Sequence, residues 1–197
     1  YSISVKLLAG FAIVAVIAAF IGVFGIVKIK QINSLDTVLY ESGAKPMGDM
    51  ALFSTAFQES QTHARQIVIG ALAYRDTAKN LQRISELDAE MNQYLKEYQK
   101  TLVSEEGKKD FAILMEAMKK YAPLRAKAVD LASSGATKLA LDLMDGEEGV
   151  LAGRIDGLIR KLMKNKIAFS RNIADGNTTT ANATVAIMII VTIVGAI

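Results

Sequence analysis

Cysteine and tryptophan are absent from this 197-residue chain, histidine occurs once and proline twice. Without cysteine there is no disulfide scaffold, thiolate zinc site, iron–sulfur cluster or thiol nucleophile. The single His63 cannot build a histidine-rich metal site, and any catalytic triad would have it as its sole base. A di-iron bundle needs two Glu-x-x-His pairs, but the residue three before His63 is Ser60. Haem held by His63 and a methionine such as Met118 is the remaining metal possibility, with no further motif behind it. Glycine-rich phosphate loops of the G-x-G-x-x-G or G-x-x-x-x-G-K kind are missing. Asp145-Gly146-Glu147-Glu148 has a calcium-loop flavour, but Leu141 and Leu143 stand where such a loop needs oxygen ligands. That stretch therefore reads as a solvated helix face with a flexible glycine. No catalytic constellation is left, so the chain reads as a non-enzyme with no cofactor.

An excess of one charge is also missing. Apart from Lys6, every charge lies between residues 28 and 182, a region with 22 basic and 20 acidic side chains. A balance that close carries no phosphate-binding footprint, so no nucleic-acid partner is expected.

What the chain does have is two long apolar ends. Residues 7–27 contain no charge and are bracketed by Lys6 and by Lys28 and Lys30. As a helix they would span roughly 30 Å, the hydrocarbon thickness of a bilayer. A cleavable signal peptide has a shorter apolar core and a small-residue cleavage site, so an uncleaved membrane helix is the preferred reading. Ala15/Ala19 and Ala18/Gly22 form small-residue faces on which helices can approach closely. Residues 183–197 are apolar again but reach only roughly 22 Å as a helix. They read as the first part of a second span, with the chain expected to continue beyond Ile197. The lipid bilayer is thus an expected partner.

Between the ends, residues 28–182 hold Pro46 and Pro123 and abundant Ala, Leu, Lys, Glu, Gln and Met. Such a composition favours helix, and the apolar residues recur at three and four. The first stripe runs from Ile29, Ile32, Leu35 and Leu39 to Met50, Phe53, Phe57, Ala64, Ile67 and Ala71. A second takes Leu81, Ile84, Leu87, Met91, Leu95, Tyr98 and Leu102; a third takes Phe111, Leu114, Met118, Tyr121 and Val129. The fourth takes Leu143, Val150, Ile155, Leu158, Leu162, Ile167 and Ile173. Turn signals separate them. Asp76 or Thr77, in Tyr74-Arg75-Asp76-Thr77, caps the second helix; Ser104-Glu105-Glu106-Gly107 closes it; Gly135 suits the left-handed end of the third. The prolines either kink or end their helices; because the apolar period resumes in phase after each, kinks are preferred. Short turns force antiparallel neighbours. The expected fold class is all-α: an antiparallel up-down-up-down four-helix bundle at 28–182, continuous with transmembrane helices at 7–27 and 183–197.

One polar stretch interrupts the first stripe. In Gln58-Glu59-Ser60-Gln61-Thr62-His63-Ala64-Arg65-Gln66, the period carried on from Phe57 points Ser60 and Ala64 inward. Gln58, Thr62, Arg65 and Gln66 then flank the seam. A planar, permanently charged guanidinium is suited to holding a carboxylate through two hydrogen bonds. Solvated surface residues of no particular role would give the same pattern.

Several short stretches resemble methyl-accepting chemotaxis proteins. Ser4-Val5-Lys6-Leu7-Leu8 with Gly10-Phe11, then Gly22 and Gly25-Ile26, resembles their amino terminus. Leu39-Tyr40-Glu41 and Lys45-Pro46-Met47 resemble the start of their four-helix sensor module, and Gly135–Ala140 the start of its fourth helix. The resemblance implies a multi-pass receptor of the bacterial inner membrane, with its bundle in the periplasm and working as a homodimer. It also implies a further C-terminal part, with a HAMP linker and a signalling rod that engages cytoplasmic partners. In such bundles, arginines of the first helix hold the ligand carboxylate at the dimer interface, which implicates Arg65 first and Arg75 second. Together with His63, Thr62 and Gln66 they are the candidate ligand-binding residues, for an amino acid or organic acid. The module also occurs on histidine kinases and diguanylate cyclases. A structural or dimerising spacer, or a docking surface for a periplasmic binding protein, would share the fold.

Overall fold

The computed structural model describes residues 3–73 and 75–196. Tyr74, in the expected turn at 74–77, and Ile197, in the expected second span, lie outside the described residues. The elements are α1 (Ile3–Leu39), α2 (Lys45–Leu72), α3 (Ala78–Lys100), α4 (Glu105–Ser133), α5 (Thr137–Leu143) and α6 (Gly149–Ala196). Two five-residue π-helical turns, Tyr40–Ala44 and Met144–Glu148, join α1 to α2 and α5 to α6. The described residues contain no strand. The chain divides into two compact units, one of residues 41–168 and one drawn from 1–40 and 169–197.

The 41–168 unit is a four-helix bundle with short turns. Its main core joins Met50, Phe53 and Phe57 of α2, Leu87, Met91, Leu95 and Tyr98 of α3, Phe111, Leu114 and Tyr121 of α4, and Ile155, Ile159 and Leu162 of α6. A second apolar cluster joins Ala64, Ile67 and Val68 to Ile84, Ala128, Val129, Ala132, Ala140 and Met144. Burying each large apolar side chain contributes about 1.5–3 kcal/mol, which is why the three-and-four spacing dictates the faces that meet. Aromatic rings lock the main core: Phe57 lies 5.0 Å from Tyr121 and Tyr98 lies 5.8 Å from Phe111, centroid to centroid.

The turns follow local chemistry. The Asp76 carboxylate accepts from the Ala78 amide at 2.9 Å at the start of α3. Gly135, at φ +86°, occupies the left-handed region that ends α4. Ser104-Glu105-Glu106-Gly107 opens a helix rather than closing one. The α3 helix stops at Lys100, and the Ser104 hydroxyl caps α4 by accepting from the Gly107 amide at 3.1 Å. Both prolines are accommodated within continuing helix: Pro123 lies inside α4, and Ile3–Leu72 runs unbroken through Pro46.

Pro46 has no N–H for the Ser42 carbonyl one turn before it. The buried Lys166 ammonium donates to that oxygen at 2.9 Å and to the Thr101 carbonyl, and lies over the Tyr98 ring. Burial lowers the Lys166 pKa from its ordinary value. Lys166→Met, which keeps the packing and removes the donor, is expected to cost about 2 kcal/mol for the stranded carbonyls. A thermal melt of the full chain in detergent would then fall by roughly 4–8 °C.

The fourth stripe needs correction. Val150 and Ile167 are exposed, and the inward residues after the π turn are Ala152, Ile155, Ile159, Leu162 and Lys166. Ala140 before the turn and Met144 and Glu148 at its two ends step inward by four, because the π turn shifts the phase that an uninterrupted α-helix would keep. Leu81 in α3 is likewise exposed.

The second unit contains α1 with the later part of α6. Each belongs to a helix long and apolar enough to cross a membrane. In α1 the apolar side chains from Leu7 to Val27 are mostly exposed, as a lipid-facing surface requires. The two helices meet at glycines: the Cβ that Gly25 lacks would lie 3.6 Å from Met188, and the one Gly195 lacks 3.0 Å from Ile17. The small-residue faces at Ala15/Ala19 and Ala18/Gly22 are exposed. Asn177 donates to the Asp36 carboxylate at 2.7 Å, and α6 runs through Gly176 without interruption.

Candidate functional site

The α2 helix presents Gln58 to Gln66 at the passage between the two apolar clusters. Ser60 and Ala64 are fully buried there, as the period requires. Of the five candidate ligand residues, Thr62, Arg65, Gln66 and Arg75 are exposed and His63 is half-buried. They do not form one constellation. Gln66 and Arg75 line the same small groove of about 300 Å³ at the α2–α3 end, with Asp76, Thr77 and Asn80. His63 reaches its edge, where Nδ1 lies 2.9 Å from the Asn80 side-chain oxygen Oδ1. Thr62 donates to the Gln58 carbonyl of its own helix at 3.0 Å. Arg65 points another way, where its charge acts on Tyr121 and Glu148. It is exposed and forms no hydrogen bond or ion pair among the described residues.

Beneath this surface lies a polar layer that periodicity alone did not reveal. The buried Arg125 of α4 donates to the Ser60 hydroxyl of α2 and, at 2.6 Å, to the Asp88 carboxylate of α3. It also sits 5.8 Å from the Tyr121 ring. Tyr121, fully buried, has a hydroxyl with no hydrogen-bond partner of ordinary geometry, and its interacting neighbour is the Glu148 carboxyl. Burial, then the Glu148 charge, push the tyrosine pKa upward. Glu148 itself is only 3% exposed, which corrects its reading as part of a solvated face; Asp145, Gly146 and Glu147 are exposed. Of this layer, Ser60 and Arg125 fall on the apolar period of their own helices, whereas Asp88 and Glu148 lie off the stripes that the sequence shows.

A wider groove of about 750 Å³ runs between α4 and α6, with Pro123, Leu124, Val150 and Leu151 below Lys119, Lys120 and Arg154. Glu116 and Glu147 share its rim, so its charge is mixed. Among the described residues no cluster of His, Asp or Glu has the geometry to hold a metal ion.

A comparison with curated proteins and one with solved structures each found no match. Residues 1–181 do match a known family, and the helical bundle agrees with it: the chain belongs to the four-helix-bundle sensory modules for signal transduction, of the methyl-accepting chemotaxis type.

Proposed function

We propose that this sensory module spans the bacterial inner membrane as a homodimer and binds a small extracytoplasmic amino or organic acid. Binding would displace α6 and so signal to cytoplasmic partners. The carrying observation is α6 itself, one 48-residue helix that holds both bundle core residues and the apolar stretch from Ala183. A ligand that favours one position of the core residues biases the same helix in its apolar part. Coupling of about 1–3 kcal/mol is enough for allosteric control. Arg65 is the proposed carboxylate anchor, because its guanidinium is exposed and uncommitted. His63, Gln66 and Arg75, on the neighbouring edge, and Thr62 are the accessory polar groups.

A thermal-shift series on the full chain in detergent, with amino acids and small carboxylic acids, tests this. A ligand at a hundred times its Kd adds about 2.7 kcal/mol, or roughly 5–11 °C in the midpoint. Arg65→Ala is expected to abolish that shift. A shift that survives the substitution keeps direct sensing and removes Arg65 from it. No shift with any compound refutes direct sensing of this ligand class and favours a docked binding protein or a structural role.

A further inference from the structure

The polar layer draws Ser60, Asp88, Arg125 and Glu148 from the four bundle helices, and only Glu148 has neither an ion pair nor a hydrogen bond of ordinary geometry among the described residues. Arg125 is taken by Ser60 and Asp88. Glu148 forms no ion pair among the described residues. It also closes the π turn where the fourth helix is broken: Gly146 has φ −93° and ψ −109°, outside the helical region. The turn is tight, since a Cβ on Gly149 would lie 2.5 Å from the Met144 carbonyl oxygen. A buried carboxylate that no cation pairs directly is disfavoured, whereas a neutral carboxyl is tolerated beside a hydroxyl.

We infer that Glu148 is a proton-responsive element of the bundle: neutral, it stays sealed beside Tyr121 and holds the broken turn; ionised, it leaves the layer and moves the helix that follows. The proton passes to solvent, and no other reactant is needed. The groups that face Glu148 are few. Arg65 comes from α2, and Tyr121 and Arg125 from α4; Asp88 of α3 acts on the layer through Arg125. On its own turn, Asp145 and Glu147 are exposed. Burial raises the Glu148 pKa above the ordinary 4.5, against smaller opposing effects of the Tyr121 hydroxyl, Arg65 and Arg125. The folded chain therefore keeps a proton that the unfolded chain has lost. This contribution to stability is complete below pH 4.5 and disappears as pH rises through the raised value.

The cysteine-free sequence allows a direct test on the full chain in detergent. Spin labels at Lys138→Cys and Arg160→Cys, both exposed positions, flank the broken turn. Their distance distribution is expected to change with pH in a single-proton transition above 4.5. In a Glu148→Gln background it should hold the low-pH form throughout. Tyr121→Phe should move the midpoint upward, because the tyrosine hydroxyl favours the ionised carboxyl. This second variant decides the matter if Glu148→Gln fails to fold by circular dichroism. A pH-independent distribution, an undiminished transition in Glu148→Gln, or an unmoved midpoint in Tyr121→Phe would each overturn the inference.

Discussion

Replacing Phe57 with alanine is expected to cost about 3–5 kcal/mol of unfolding free energy, the range for truncating a buried aromatic side chain. Phe57 is fully buried, with Phe53 6.2 Å and Tyr121 5.0 Å away between ring centroids. Alanine would remove both ring contacts and leave a cavity that rigid neighbouring helices close only in part. A melt of the full chain in detergent, followed by circular dichroism, should fall by roughly 6–20 °C. Leu52→Ala, five residues earlier on the exposed face, should stay within about 0.5 kcal/mol of the parent. Equal losses in the two variants would mean that the inward face of α2 is assigned wrongly.

Asp88→Ala should be the next most damaging change, at about 3 kcal/mol. Removing the carboxylate strands the Arg125 guanidinium, whose side chain is only 6% exposed and keeps Ser60 as its remaining partner. Breaking a fully buried pair costs about 3–5 kcal/mol; the lower end applies because the Asp88 side chain is 40% exposed. The pair is not expected to be worth that much in itself. Arg125→Met with Asp88→Leu, which takes out both charges and fills the space, should recover most of the loss. If the double variant is as unstable as the single one, the layer contributes through packing and not through an uncompensated charge.

The architecture was legible in the linear sequence because helix formation and amphipathic burial are short-range rules. The stripes through Met50, Phe53 and Phe57, through Leu87, Met91 and Leu95, and through Phe111, Leu114 and Tyr121 predict faces that do meet in the core. The composition of residues 7–27 likewise requires a helix of bilayer length, and Gly135 marks a left-handed helix end that the backbone adopts.

The tertiary structure alone decided the rest. Periodicity puts Arg125 in phase with Tyr121, but nothing local says that a charge there, or at Glu148 or Lys166, faces the core. Arg125 and Lys166 are buried because groups distant in sequence, Asp88 and Ser60 for Arg125 and the Ser42 and Thr101 carbonyls for Lys166, converge on them. The phase of the fourth stripe was hidden for a related reason. A π turn costs little where Gly146 and Gly149 permit it, and one extra residue per turn rotates everything after it, so Val150 faces out and Ala152 faces in. Periodicity identifies which residues can share a face, while the partners brought by the other three helices decide which polar residues join it.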